Sequence, residues 1–317
     1  MTTTLRPEAP ASSPSPIRKS SASIRHRLAE RGIDAKLWLL VPAVVFALAL
    51  FIYPFAYGIG LTLQPLPATQ EAQGGGILSN YLAFFQDGFV FESVWLTLRL
   101  ALPAATFNVL ISIPIAMKLR GRFRGKRSMQ TLLVLPIALG TVLTAQGLLI
   151  FAGRQGWLNR FLLDTGLIEE PLLLVNNYTG VFLSLVISGF PFAFLLISSY
   201  LSGIDPSLDA AAKTLGANWW KRFTRITLPL LAPGLATTFI LTFVLAFSVF
   251  PSARLVGDAS GDTRVLALMA YRAFAEQLDY SMASTIAIMM GVVELIVIAV
   301  VFLGRSFLYT GSTGGKG

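Results

Sequence analysis

The sequence predicts an all-α membrane bundle of six transmembrane helices with both termini cytoplasmic. Three observations carry this. Only 13% of the 317 residues are charged and 54% are hydrophobic, whereas soluble domains carry about 25% charged residues. Six apolar stretches each reach the roughly 20 residues that a helix needs to cross a 30 Å hydrocarbon core. The cations fall unevenly between the loops that these stretches define. Alternating ten-residue strands, the mark of a membrane barrel, are absent from the pattern.

The chain begins with a segment rich in Ser, Pro and Arg, residues 1–36, which reads as a disordered basic tail. Its charged region is too long for a cleavable signal, and no small-x-small site follows the next apolar run. The first span, Leu37–Leu61, is therefore an uncleaved anchor. An outer loop follows with three consecutive glycines, Gly74 to Gly76. After them come Tyr81, Phe84, Phe85, Phe89 and Phe91, aromatics suited to the bilayer interface. The second span, Val94–Met117, and the third, Thr131–Phe151, are joined by the short basic turn LRGRFRGKRS. GRQGWLNRFLLDTGLIEEP then reads as a short outer helix and a turn.

The fourth span is Thr179–Leu201, the fifth Leu230–Ser252 and the sixth Met282–Gly304. Between the last two lie a Gly/Asp turn and an amphipathic helix around Val265–Gln277. Residues 305–317 form a short tail, so the transmembrane domain occupies 37–304. Prolines at 103, 114, 136, 191 and 251 fall inside spans, where each removes a backbone donor and favours a kink. These kinks read either as a flexible gate or as ordinary packing.

With the N-terminus inside, the cytoplasmic segments hold 19 Lys and Arg residues and the outer loops 5, with Arg99 left in a span. That is the positive-inside pattern. It assigns the net charge of +9 to lipid headgroups and cytoplasmic partners, not to nucleic acid. The chain has no cysteine and a single histidine, His26, which leaves no thiolate or histidine metal site. No cofactor is implied. The tail GSTGGKG lacks the spacer and the Ser/Thr of a phosphate loop, and no catalytic cluster lies in the spans. The chain is thus expected to be a transport subunit and not an enzyme.

The segment LDAAAKTLGANWWKRFTRITLPLLAPG, from Leu208 to Gly234, interrupts the apolar spans. Asp205 and Pro206 are a helix start. Leu208, Ala211, Ala212 and Leu215 then recur at helical spacing as one apolar face. Gly216 stands where a C-terminal cap would sit, and Asn218 can cap a second short helix. On that helix Trp219, Phe223 and Ile226 form a stripe with Lys221, Arg222 and Arg225 off it. Pro229 and Pro233 mark the start of the fifth span. The expected product is a helix–glycine–helix elbow over 205–229 on the cytoplasmic face, with alanines that allow close approach of another backbone.

These residues resemble the inner-membrane permease of binding-protein-dependent ABC importers (type I). That family's pattern is Glu-Ala-Ala, three residues, Gly, nine residues, Ile-x-Leu-Pro. Ala211, Ala212, Gly216, Ile226, Leu228 and Pro229 match it in spacing, while Ala210 stands where the glutamate belongs. Asp209 precedes it, about 100° away round the helix. The resemblance runs from about Asn80 to Gly304 and is strongest to the spermidine/putrescine-type subgroup. It implies a cytoplasmic ATPase dimer that grips the elbow, a second permease subunit, identical or sister, and an extracytoplasmic solute-binding protein. Asp209, Ala211, Ala212, Gly216, Ile226, Leu228 and Pro229 would form the ATPase-coupling region, and the cargo would be polyamine-like. A secondary transporter or channel that works without ATP is the alternative.

Glu294 lies mid-span, where a carboxylate costs about 2.5–3.5 kcal/mol on insertion scales. It reads either as lining of a solute pathway or as a structural bond between helices. Asn108 and Gln146, also mid-span, read either as polar lining of a route or as glue between helices. Arg99 is close enough to the end of its span to snorkel.

Overall fold

A computed structural model describes residues 35–73, 76–121, 124–258 and 261–308. The basic segment 1–34, which contains nearly all of the expected tail, and residues 309–317 lie outside it. Among the described residues all regular secondary structure is helical, without strands. It divides into two units at Ala56/Tyr57.

The first unit is the greater part of α1 (Ala35–Thr62), an apolar helix whose described side chains from Leu40 to Ala56 are all exposed. A helix that is apolar all round belongs in lipid or against another protein.

In the second unit the chain runs through α2 (Pro67–Ala72) and α3 (Ser79–Gln86) into the second span, α4 (Gly88–Arg120). Asp87 starts α4 by accepting bonds from the Phe89 and Val90 N–H groups. Lys118 and Arg120 close it on the favourable side of the helix dipole. The third span, α5 (Lys126–Ala152), and the short α6 (Trp157–Asp164) follow, then the fourth span, α7 (Tyr178–Ser202). Asn177 caps α7 by accepting from the Gly180 N–H. The chain then forms α8 (Pro206–Thr214) and α9 (Trp219–Arg222), a π turn over Phe223–Thr227, and the fifth span, α10 (Leu228–Phe247). After α11 (Pro251–Val256), α12 (Leu266–Tyr271) and a second π turn, Arg272–Glu276, comes the sixth span, α13 (Tyr280–Leu308).

The second, fourth and fifth spans make the nucleus. Their most apolar windows are 50%, 44% and 44% buried, against 6% for the sixth span. Two cores result. The larger joins α3, α4, α5, α7, α10, α11, α12 and α13, with Phe84, Phe243 and Phe247 fully buried. The smaller lies towards the elbow, where Ile113 and Leu119 of α4 meet Phe194, Ile197 and Leu201 of α7 and Leu231 of α10.

Three sequence expectations are corrected. The fifth span ends at Phe247, not Ser252, and Pro251 opens α11 instead of lying inside the span. Its fixed φ and missing N–H suit a first helical position. In the third span the backbone breaks at Gly140 (φ 67, ψ 173), not at Pro136. Phe84 is not interfacial: it sits in the core, edge-on to Phe85 and Phe91.

The segment after the break in the fifth span is packed inward. Val256, Val265, Leu266 and Leu268 are buried, and the Leu266 N–H donates to the Thr97 hydroxyl of α4. The Ser252 and Ser184 hydroxyls bond at 2.9 Å, and the Val256 carbonyl accepts from the Asn176 N–H. The short helices between the fifth and sixth spans are thereby held by buried hydrogen bonds, where an unmade bond is expensive.

Candidate coupling elbow

Asp205 accepts the Ser207 N–H at 2.8 Å and Pro206 takes the first helical position, so α8 starts where capping chemistry places it. That bond, with Arg120 nearby, holds the Asp205 carboxyl below its ordinary range. The cap is therefore complete above the ordinary carboxylate range and is lost as pH falls on through the lowered value.

The helix ends in a Schellman motif. Ala217 N–H reaches the Ala212 carbonyl at 3.0 Å and Gly216 N–H the Lys213 carbonyl at 3.0 Å, with Gly216 left-handed at φ +80. Leu208, Ala211 and Leu215 are exposed, Ala212 is half-buried, and Leu215 at the vertex is 87% exposed. None of the nine residues of α8 is buried.

Asn218 accepts the Lys221 N–H at 2.8 Å and starts the second arm. This arm is not a separate short helix. It runs through the π turn into the fifth span, as one continuous stretch from Trp219 to Phe247. The Leu228 N–H bonds to the Phe223 carbonyl, five residues back. The wide turn lies where the Pro229 ring would otherwise meet the Arg225 carbonyl. It widens the helix between Phe223 and Leu228, so the constant period that the expected stripe presumes does not hold there. Trp219 and Phe223 stack at 5.6 Å, and Trp220 completes the cluster.

The two arms are tied. Asp209 faces Arg222 at 3.4 Å, with the carboxylate half-exposed and the guanidinium 17% exposed. Both line a cavity of about 170 Å³ together with Arg120, Trp219 and Phe223. Arg120, at the end of the second span, donates to the Ile204 carbonyl just before the elbow. Sequence reasoning did not single out Arg120. A cation in the last turn of a span next to a basic loop carries no mark that separates a tie from a charge placed for orientation.

The three mid-span polar residues have separate surroundings. Asn108 is buried, its amide donating to the Leu185 carbonyl at 3.3 Å and lying against Gly189. Gln146 is exposed on α5. Glu294 is half-buried and accepts from the Ser248 hydroxyl at 2.7 Å, at the point where the fifth span breaks. Arg99 is exposed, with its guanidinium 5.5 Å from the centre of the Tyr178 ring.

Residues 107–309, which contain the elbow and the last four spans, match the family described as "Binding-protein-dependent transport system inner membrane component". The chain belongs to this family. It is a multi-pass inner-membrane protein, the permease of a type I ABC importer. Among its relatives, the probable sulfate transport system permease protein cysT of Prototheca wickerhamii is 32% identical over 213 residues, 67% of this chain and 81% of that protein. The spermidine/putrescine transport system permease protein PotB of Haemophilus influenzae is 29% identical over 225 residues, 70% of this chain and 75% of that one. The fold is shared with a bacterial ABC transporter involved in the import of the acidic polysaccharide alginate. There the TM-score is 0.73 at 21% identity, covering 88% of this chain and 98% of the other. The spermidine/putrescine type is thus one of several to which the permease is similar.

Proposed function

We propose that this permease is driven by ATP through its elbow. Two cytoplasmic ATPases hold the elbows of two permease subunits, of this chain or a sister, and an extracytoplasmic binding protein delivers a small solute. The N- and C-termini lie in the cytoplasm, as the cation distribution favours. The observation that carries the reading is the α8 face: small or exposed apolar side chains on a helix closed by a rigid Schellman turn and pinned by Asp209–Arg222 and Arg120. Such a helix moves with the ends of the second and fifth spans, so a pull on it reaches the nucleus of the bundle. A transporter that works without ATP has no need of this surface.

Ala211→Trp tests the grip, because Ala211 is exposed and its replacement leaves the fold intact. Overpacking a tight contact costs about 1–3 kcal/mol, which weakens a modest interface about 10-fold or more. Uptake and ATPase association are expected to fall together while the amount of inserted protein stays constant. Unchanged uptake would remove the elbow from the mechanism.

For the cargo, the Glu294 carboxylate at the break in the fifth span favours a cationic or zwitterionic small solute over an anion. Vesicles carrying the complete complex, offered labelled spermidine or sulfate, are expected to take up the first and to lose that uptake with Glu294→Gln. Sulfate uptake unaffected by Glu294→Gln would reverse this assignment.

A further inference from the structure

A second cavity, of about 180 Å³, opens beside the elbow between the end of α4, the start of α5 and the end of α7. Its polar lining is Arg120, Lys126, Gln130, Ser198 and Ser202, backed by three aliphatic side chains, and no carboxylate lines it. The volume lies below the roughly 300–1,000 Å³ of sites for drug-sized ligands. It suits a single compact group. The charge of the wall selects an anion.

The donors in this lining have capacity left. Ser198 Oγ is buried without a hydrogen-bond partner, and a buried hydroxyl left unpaired is costly. Lys126 Nζ reaches the Arg120 carbonyl at 3.5 Å, a long contact for a group with three N–H donors. Arg120 donates to the Ile204 carbonyl, one of five donors that a guanidinium carries. Asp205 also acts electrostatically on Arg120, and its carboxylate is already engaged by the Ser207 N–H. The neighbouring cavity differs in this respect, since Asp209 and Arg222 compensate each other there.

We propose that this cavity binds a phosphate oxyanion, either as the headgroup of an anionic lipid or as free phosphate. Arg120, Lys126 and the Ser198 hydroxyl supply its hydrogen bonds. The cavity lies where two spans end, at the depth where basic pockets between helices meet lipid headgroups. This site does not depend on the transport reading, because it is defined by the chain's own side chains.

The full-length chain in neutral detergent provides the test, with phosphatidylglycerol, phosphate-free monoolein and inorganic phosphate as probes. Thermal unfolding and native mass spectrometry report binding. Phosphatidylglycerol is expected to raise Tm and to remain bound, with affinity falling about 10-fold in Lys126→Gln and in Ser198→Ala, the loss of one charge-assisted contact. Arg160→Gln, on α6, is expected to change nothing. A response to phosphatidylglycerol without one to phosphate assigns the site to lipid. A response to phosphate, lost in the same variants, assigns it to the free anion. No response to either, an equal response to monoolein, or binding undiminished in both variants overturns the proposal.

Discussion

Gly216 and Gly180 are glycines for different reasons, and each reason has a consequence. At Gly216 nothing crowds a side chain, but φ is +80. Pro, locked near −65° and without an N–H, would break the Schellman turn. Gly216→Pro is expected to abolish ATP-driven uptake while leaving insertion unchanged, as measured by membrane immunoblot beside the transport assay. At Gly180 an added Cβ would lie 2.6 Å from the Val256 carbonyl oxygen and 2.9 Å from the Val175 Cα. Both are backbone atoms that cannot rotate away. Gly180→Ala is therefore expected to destabilise by about 1–3 kcal/mol. Gly147→Ala, on an open helix face, should be neutral or stabilising by up to about 1 kcal/mol. Comparing the two melting temperatures checks this. Asp209 is half-exposed, so its pair with Arg222 is worth less than about 1 kcal/mol. Its place in the elbow is geometric: the carboxylate turns towards the second arm, not outwards from the face that carries the alanines.

At the scale of elements, the first arm of the elbow was legible in the sequence residue by residue. Capping, a proline at the first turn and a left-handed glycine are local chemistry, and local chemistry is what a sequence displays. The second arm was not. Its stripe of Trp219, Phe223 and Ile226 presumes a constant 3.6-residue period, and the π turn before Pro229 breaks that period. The signal was the proline itself, read as a boundary when it was the cause of a wider turn. Pro229→Ala is expected to let the turn relax to an α-helix and to rotate Arg222 away from Asp209. Uptake per ATP hydrolysed should then fall with little change in Tm. The fifth span was overextended because hydropathy continues smoothly through Val249 and Phe250, while the helix ends at Phe247. Composition sees a bilayer-length run and is blind to the packing that turns Pro251–Val256 back onto the fourth span.

At the scale of the molecule, the six-helix fold was legible because the bilayer imposes length and composition on every span. The arrangement of spans was not: all six are apolar enough to cross a bilayer, yet the second, fourth and fifth are about half buried, the sixth barely so and the first not at all. Orientation is open to direct labelling, since the chain has no cysteine. A cysteine at Thr165 is expected to react with an impermeant maleimide on intact cells, and one at Thr214 only after permeabilisation. The reverse pattern would invert the topology and remove the elbow from the cytoplasm. The central idea is that force enters this protein at the elbow from a separate ATPase. The most direct measurement is solute accumulation in proteoliposomes holding the permease pair and binding protein, with and without the ATPase subunits. Accumulation against a gradient only when ATP and the ATPase are present is the predicted result. Equal accumulation without them would contradict it.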